Sequence, residues 1–357
     1  MRLYEEGGKL GTAGRLSPGG QTAVPQPPPQ QRGQAHPAQG PHPRRRRHPR
    51  PGTPHRERGA RKRRPPRSKP RPPPPNAGPR RALVRRNCAV GNQSLDNLND
   101  SDLKNFIVDD KHGIIYCYIP KVACTNWKRI LIALNYSEPY PDPMSFKHNW
   151  VHQFERFQHL NDFPKAERDV SLIINAKLKH YTKFLYVRDP FVRLISAYRD
   201  KMLNYDQYFY EGYVRLILLL YKKHTTVTYN HEVGRKEGLQ PSFYNFIQYI
   251  LDPRTEKKEP FEPHWRQMHR LCHPCLIEYD LVGHQESLQE DAQELLKILK
   301  LEKAIKFPSS YENMTSVDTV MDWFQTVPLE DRRKLYRLYE KDFKLFGYRR
   351  PTELLDD

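Results

Sequence analysis

The chain has 357 residues and a formal charge of +19, room for one large domain or two modest ones. The charge is not spread: residues 1–86 carry 22 Lys and Arg against 3 Asp and Glu, which leaves 38 of each sign for residues 87–357. A neutral body excludes a nucleic-acid-binding fold argued from net charge alone, and no apolar run reaches the ~20 residues of a membrane-spanning helix.

Residues 1–86 also hold 19 of the 33 prolines, in stretches such as "PHPRRRRHPR" and "RKRRPPRSKPRPPPP". Too little apolar surface is present there to offset the ordering of the backbone, so the segment is expected to be disordered. It is either a basic arm for a polyanion or a solvated tail. No signal-peptide pattern opens the chain, which as written reads as soluble. The expected division is a disordered basic segment over 1–86 and one folded domain over 87–357.

Four N-x-S/T sequons, at Asn92, Asn99, Asn135 and Asn313, lean toward a secreted or lumenal protein. The first clear unit is "IIYCYIPKVACTNWKRILIAL", Ile114–Leu134. Residues 114–119 suit a buried strand. Pro120 has no N–H for a ladder and ends it. From Thr125, a plausible N-cap, the period changes: Trp127, Ile130, Leu131 and Leu134 share one helical face. The loop Lys121–Thr125 thus opens a helix whose first N–H groups lack internal partners and whose dipole favours an anion. Lys121 adds a full charge, and Thr125 and Asn126 add polar contacts. Such a loop is either an ordinary strand-to-helix turn or an anion site. It lacks the G-x-x-x-x-G-K-[ST] pattern of ATPases, and with it the magnesium-holding hydroxyl.

The second unit is "YTKFLYVRDPFVRLISAYRDKM", Tyr181–Met202. Phe184–Val187 reads as a buried strand, Asp189 as an N-cap and Pro190 as the first helical residue. Phe191, Leu194, Ile195 and Tyr198 form the core-facing stripe. Arg188, at the strand's carboxyl end, is placed to grip a phosphate. Two such units imply an α/β fold with a central parallel sheet. Of the five cysteines, Cys117 reads as packing. "CHPC" at Cys272–Cys275 is a weak zinc signal without a second pair, and any disulfide connectivity stays open.

"PKVACTNWKR" and "VRDPFVRLISAYR", together with "NFIQYILDPRTEK", "PFEPHWRQMHRLCHPC", "YDLVG" and "LYEKDFKLFGY", resemble the Golgi carbohydrate sulfotransferases of the chondroitin 4-O-sulfotransferase group. The resemblance runs from about Asn105 to the end. It implies a P-loop-like three-layer core and a metal-free sulfuryl transfer from 3′-phosphoadenosine-5′-phosphosulfate. The first loop would hold the 5′-phosphosulfate through Pro120, Lys121, Val122, Ala123, Cys124, Thr125 and Asn126. The second unit would hold the 3′-phosphate over Arg188, Asp189, Pro190, Phe191, Val192, Arg193, Leu194, Ile195 and Ser196, with Arg188 and Ser196 as the direct ligands. Lys121 would stabilise the leaving oxygen and His152 would be the base, with His264 and His148 in reserve.

The implied acceptor is chondroitin, sulfated at the 4-hydroxyl of N-acetylgalactosamine; dermatan and terminal N-acetylgalactosamine on glycoproteins are the alternatives. Arg199, Lys201, Lys257, Lys258, Arg266 and Arg270 are candidate contributors to a basic acceptor groove. Family members are anchored in the Golgi membrane with a lumenal catalytic domain, whereas residues 1–86 contain no anchor-like run. The rival classes are a P-loop nucleotide phosphotransferase and a basic nucleic-acid-binding protein.

Overall fold

The structure, a computed structural model, describes residues 77–88, 98–163, 168–309 and 319–356. Most of the 1–86 segment, and the sequons at Asn92 and Asn313, lie outside the described residues.

Five strands form one mixed sheet in the order β3-β1-β2-β4-β5. They are β1 (Phe106–Asp109), β2 (Ile114–Cys117), β3 (Gln158–His159), β4 (Thr182–Val187) and β5 (Leu281–His284). The strands β2, β4 and β5 run parallel, with Tyr116 opposite Phe184 and Phe184 opposite Leu281. The expected parallel sheet is therefore its centre. One edge is antiparallel, because β1 pairs with β2 and β3 in that sense. The four residues between β1 and β2 are too few for a helical crossover, so a hairpin results. Gly113, at φ 61, supplies the left-handed backbone that closes it.

The strands β1, β2 and β5 are buried at every position, as expected for a sheet with helices on both faces. Tyr116 stacks on Phe184 at 4.6 Å between ring centres. On β5, Gly283 lies against Tyr186, and a Cβ there would stand 2.3 Å from Cε1 of that ring. The two helical stripes read from the sequence are both buried. Trp127, Ile130, Leu131 and Leu134 pack with the strands. Phe191, Leu194, Ile195 and Tyr198 pack into a second cluster with Trp265 and Phe343.

Two expectations change. Ala77–Asn87, the last part of the segment expected to be unfolded, is a helix. Its Arg80 is 1% exposed and pairs with Asp291. One turn on, the buried Val84 joins the sheet cluster. A composition argument treats every arginine as solvated and so misses one that has a buried carboxylate to meet. Cys117 is not mere packing: it is bonded to Cys272, and Cys88 to Cys275, so "CHPC" gives one sulfur to each of two disulfides. Cys124 is the free cysteine. No helix among the described residues is long and apolar enough to cross a membrane.

Candidate active site

Beyond β2 the backbone turns left-handed twice without glycine, at Lys121 (φ 70) and Ala123 (φ 48). The helix Cys124–Leu134 then begins with Ala123 as its N-cap and no side-chain capping bond. Thr125 is thus not the cap that the sequence suggests. Its Oγ1 lies 2.9 Å from Nε2 of His152 instead. The first backbone bonds into the helix run only from Asn126 and Trp127 to the Ala123 carbonyl. The N–H groups just before them are left for a ligand, where the helix dipole adds partial positive charge. Alternation of left- and right-handed residues is also what shapes an anion-binding concavity. Asn126 Oδ1 is buried there with no hydrogen-bond partner among the described residues.

Left-handed backbone at an L-residue costs about 1–2 kcal/mol, and the second unit holds it in place. Arg188 donates from Nη1 to the Lys121 carbonyl at 3.2 Å. Arg193 donates from Nε to the Pro120 carbonyl at 3.0 Å and from its other nitrogens to the carbonyls of Arg266 and Pro263.

Both units open on one cavity of about 840 Å³. All of residues 120–126 line it, and from the second unit Arg188 and Ser196 do. The residues between them do not. Asp189 accepts the N–H groups of Phe191 and Val192 and so caps the helix Pro190–Ala197. Phe191, Val192, Leu194 and Ile195 sit in the core, and Arg193 is 1% exposed and spent on the three carbonyls. Of the stretch 188–196, the structure thus brings the two ends to the cavity, because the helical period turns the rest inward.

The helix after Pro190 widens into a π turn over Tyr198–Met202. Asp200 and Lys201 from this turn line the cavity. Asp200 stands 2.9 Å from Lys121 Nζ and 3.2 Å from Lys201 Nζ. Burial alone would raise the Asp200 carboxyl, but the two ammonium groups outweigh it and bring it down to about 2. Desolvation pulls the Arg188 guanidinium below its usual value.

Two histidines of the cavity differ in setting. His152 is exposed as a residue, and its ring lies tilted at 46° to that of His148, with centres 4.7 Å apart. Desolvation by the cleft walls, then the charge of Lys128, holds its imidazole well below the usual range. His264 is held by Glu262, whose two oxygens lie 2.8 and 2.9 Å from Nδ1. Desolvation lowers it as well, against the opposing pull of Glu262. A carboxylate on Nδ1 fixes which nitrogen carries the proton. Glu262 was not singled out from the sequence, although a carboxylate two residues before a histidine was there to be read.

Of the six basic residues expected in an acceptor groove, Lys201 lines the cavity. Arg266 is occupied by the Phe261 carbonyl and Arg270 by Glu256. Arg199, Lys257 and Lys258 are exposed and do not line it. Lys128, which the sequence reading passed over, does line it and is 5% exposed. Its position three residues after Thr125, on the same helical face, was the available signal.

A protein-family model described as the sulfotransferase family matches residues 104–349. Carbohydrate sulfotransferase 12 of Mus musculus is 47% identical over 291 residues, covering 78% of this chain and 70% of its own length. The Xenopus laevis protein of the same name is 46% identical over 270 residues, covering 74% and 64%. Carbohydrate sulfotransferase 11 of Rattus norvegicus is 39% identical over 259 residues, covering 72% and 70%. No solved structure matches the chain.

Proposed function

The chain belongs to the sulfotransferase family and is a sulfotransferase enzyme, and from that premise we propose that its substrates are 3′-phosphoadenosine-5′-phosphosulfate and chondroitin. The product is chondroitin sulfated at the 4-hydroxyl of N-acetylgalactosamine. The observation that carries this reading is the meeting of Lys121, Arg188 and Ser196 on the cavity into which the uncapped helix opens. A volume of about 840 Å³ lies within the range of nucleotide-sized sites.

The donor supplies the sulfuryl group; the protein supplies placement and charge. The N–H groups of the first loop and the Lys121 ammonium bind the phosphosulfate end. Arg188 and Ser196 bind the 3′-phosphate. Charge builds on the departing phosphate oxygen as its bond to sulfur breaks, and a preorganised cation such as Lys121 is the strongest lever on that step. His152 takes the proton from the attacking sugar hydroxyl. Its neutral state leaves a lone pair for that task, and its contact with Thr125 ties it to the donor loop. His264 is a second reading for the base, favoured by its carboxylate partner. The reaction belongs in the Golgi lumen, which the two disulfides support, since the cytosol keeps thiols reduced.

One assay tests this reading. The full chain is incubated with labelled donor and a panel of desulfated glycans, and the product disaccharides are mapped. Label on the 4-position of N-acetylgalactosamine in chondroitin is expected. Adenosine 3′,5′-bisphosphate should raise the melting temperature without magnesium. Stabilisation by ATP with magnesium and none by the bisphosphate would overturn the donor assignment.

A further inference from the structure

The cations of the cavity are not equivalent. Lys121 and Lys201 share Asp200, and Arg188 holds the Lys121 carbonyl. Lys128 has neither an ion pair nor a hydrogen bond among the described residues. Its ammonium is packed over the Tyr118 ring at 4.0 Å, with Phe157 at 5.3 Å. The faces of two rings return only part of the hydration that the charge of a lysine only 5% exposed gives up. Burial accordingly lowers its proton affinity.

Such a charge is built to meet an anion. The donor's anions already have their partners at the loop and at Arg188. Lys128 lies three residues past Thr125, about 4.5 Å along the axis; Thr125 meets His152 at 2.9 Å, and Lys128 and His152 both line the cavity. Lys128 is therefore on the side of the cavity where the attacking sugar must sit if His152 is to reach the hydroxyl. In an alternating glycan of hexosamine and uronic acid, the anion next to the attacked sugar is a carboxylate.

We propose that Lys128 is the acceptor-side anchor of this site, binding the carboxylate of the uronic acid adjacent to the hexosamine that receives sulfate. The proposal rests on the sulfotransferase reading of the same cavity. It makes Lys128 a specificity-determining residue, separating acidic glycosaminoglycan from neutral glycans that end in the same hexosamine.

The test compares desulfated chondroitin with its carboxyl-reduced form, in which each glucuronate has become glucose, on the wild-type chain and on Lys128→Gln and Lys128→Arg. A buried charge-assisted contact corresponds to about ten- to a hundredfold. Wild type should prefer the carboxylated polymer in kcat/KM by that factor. Lys128→Gln should lose most of the preference, with a much smaller loss on the reduced polymer, and Lys128→Arg should regain part of it. Any change that the substitution makes through His152 falls on both acceptors equally and leaves their ratio untouched. An equal loss on both, no preference in wild type, or a weakened response to adenosine 3′,5′-bisphosphate in Lys128→Gln overturns the proposal; the last would make Lys128 a donor ligand. A wild-type chain that does not respond to the bisphosphate at all overturns the donor reading itself, and a response without acceptor discrimination overturns only the anchor.

Discussion

Asp200 poses the sharpest quantitative question about this cavity, because it is an anion placed where the proposed donor, a polyanion, would bind. In the free protein it neutralises Lys121 at 2.9 Å and Lys201 at 3.2 Å. A phosphate oxygen paired to the far side of the same Lys121 ammonium would lie roughly 5 Å from the carboxylate. Two unit charges at that separation repel by about 3 kcal/mol at an effective dielectric of 20. The Asp200 side chain is 36% exposed, so solvent screening reduces this to about 1 kcal/mol. Asp200→Asn should therefore bind adenosine 3′,5′-bisphosphate about fivefold tighter, read by titration calorimetry, with the gain shrinking as salt is added. The same substitution removes a stabilising pair. Because the folded carboxyl is held at about 2 against about 3.9 in an unfolded chain, that contribution is complete above pH ~4 and fades as pH falls through the folded value. The melting temperatures of the two proteins should converge there. Weaker binding by Asp200→Asn would refute the reasoning. It would mean that the carboxylate orients Lys121 for the ligand more than it competes with it.

His152→Ala should lower turnover by about 10²- to 10⁴-fold while keeping the melting shift given by the bisphosphate; unchanged turnover, with a loss in His264→Ala, would move the base to His264. Since the imidazole of His152 is held below its usual value, it stays neutral as pH falls through 6, and the acid limb of kcat/KM should lie below pH ~6.5. Anionic substrates raise it, so the limb of kcat should lie at higher pH than that of kcat/KM. Arg80→Met leaves the Asp291 carboxylate buried with only Ser287 Oγ and the His284 N–H, and should cost about 3–5 kcal/mol in denaturant unfolding. A near-neutral result would show that the helix 77–87 is not part of the cooperative unit. Gly283→Ala puts a Cβ against the fully buried Tyr186 ring and should cost about 1–3 kcal/mol.

The two strand–loop–helix units were legible in the sequence because each rests on local rules. The period change at Thr125, the Asp189–Pro190 start and the apolar stripes all reappear as the buried faces. What stayed hidden depends on contacts between distant segments. Arg188 was legible from its place at the strand's carboxyl end, but nothing local shows that Arg193, five residues on, is spent on three carbonyls. The cysteine pairs join residues 187 and 155 positions apart. Lys128 reads as one more polar residue off an apolar stripe until Tyr118 and Phe157 close over it.

The absence of glycine from the first loop follows from the same division between local and distant causes. A glycine at Lys121 or Ala123 would relieve the left-handed backbone, but it would also free the loop to leave that shape. Here Val122 is fully buried between the two turns, and two arginines of the second unit hold the carbonyls of Pro120 and Lys121. The neighbouring unit thus fixes what glycine would only permit, and it keeps the N–H row aimed before any ligand arrives. The arrangement couples the two halves of the cavity. The guanidinium assigned to the 3′-phosphate is bonded to the backbone of the very residue assigned to the leaving oxygen. Losing Arg188 should therefore weaken the grip at both ends of the donor, a larger effect than the loss of a single phosphate contact.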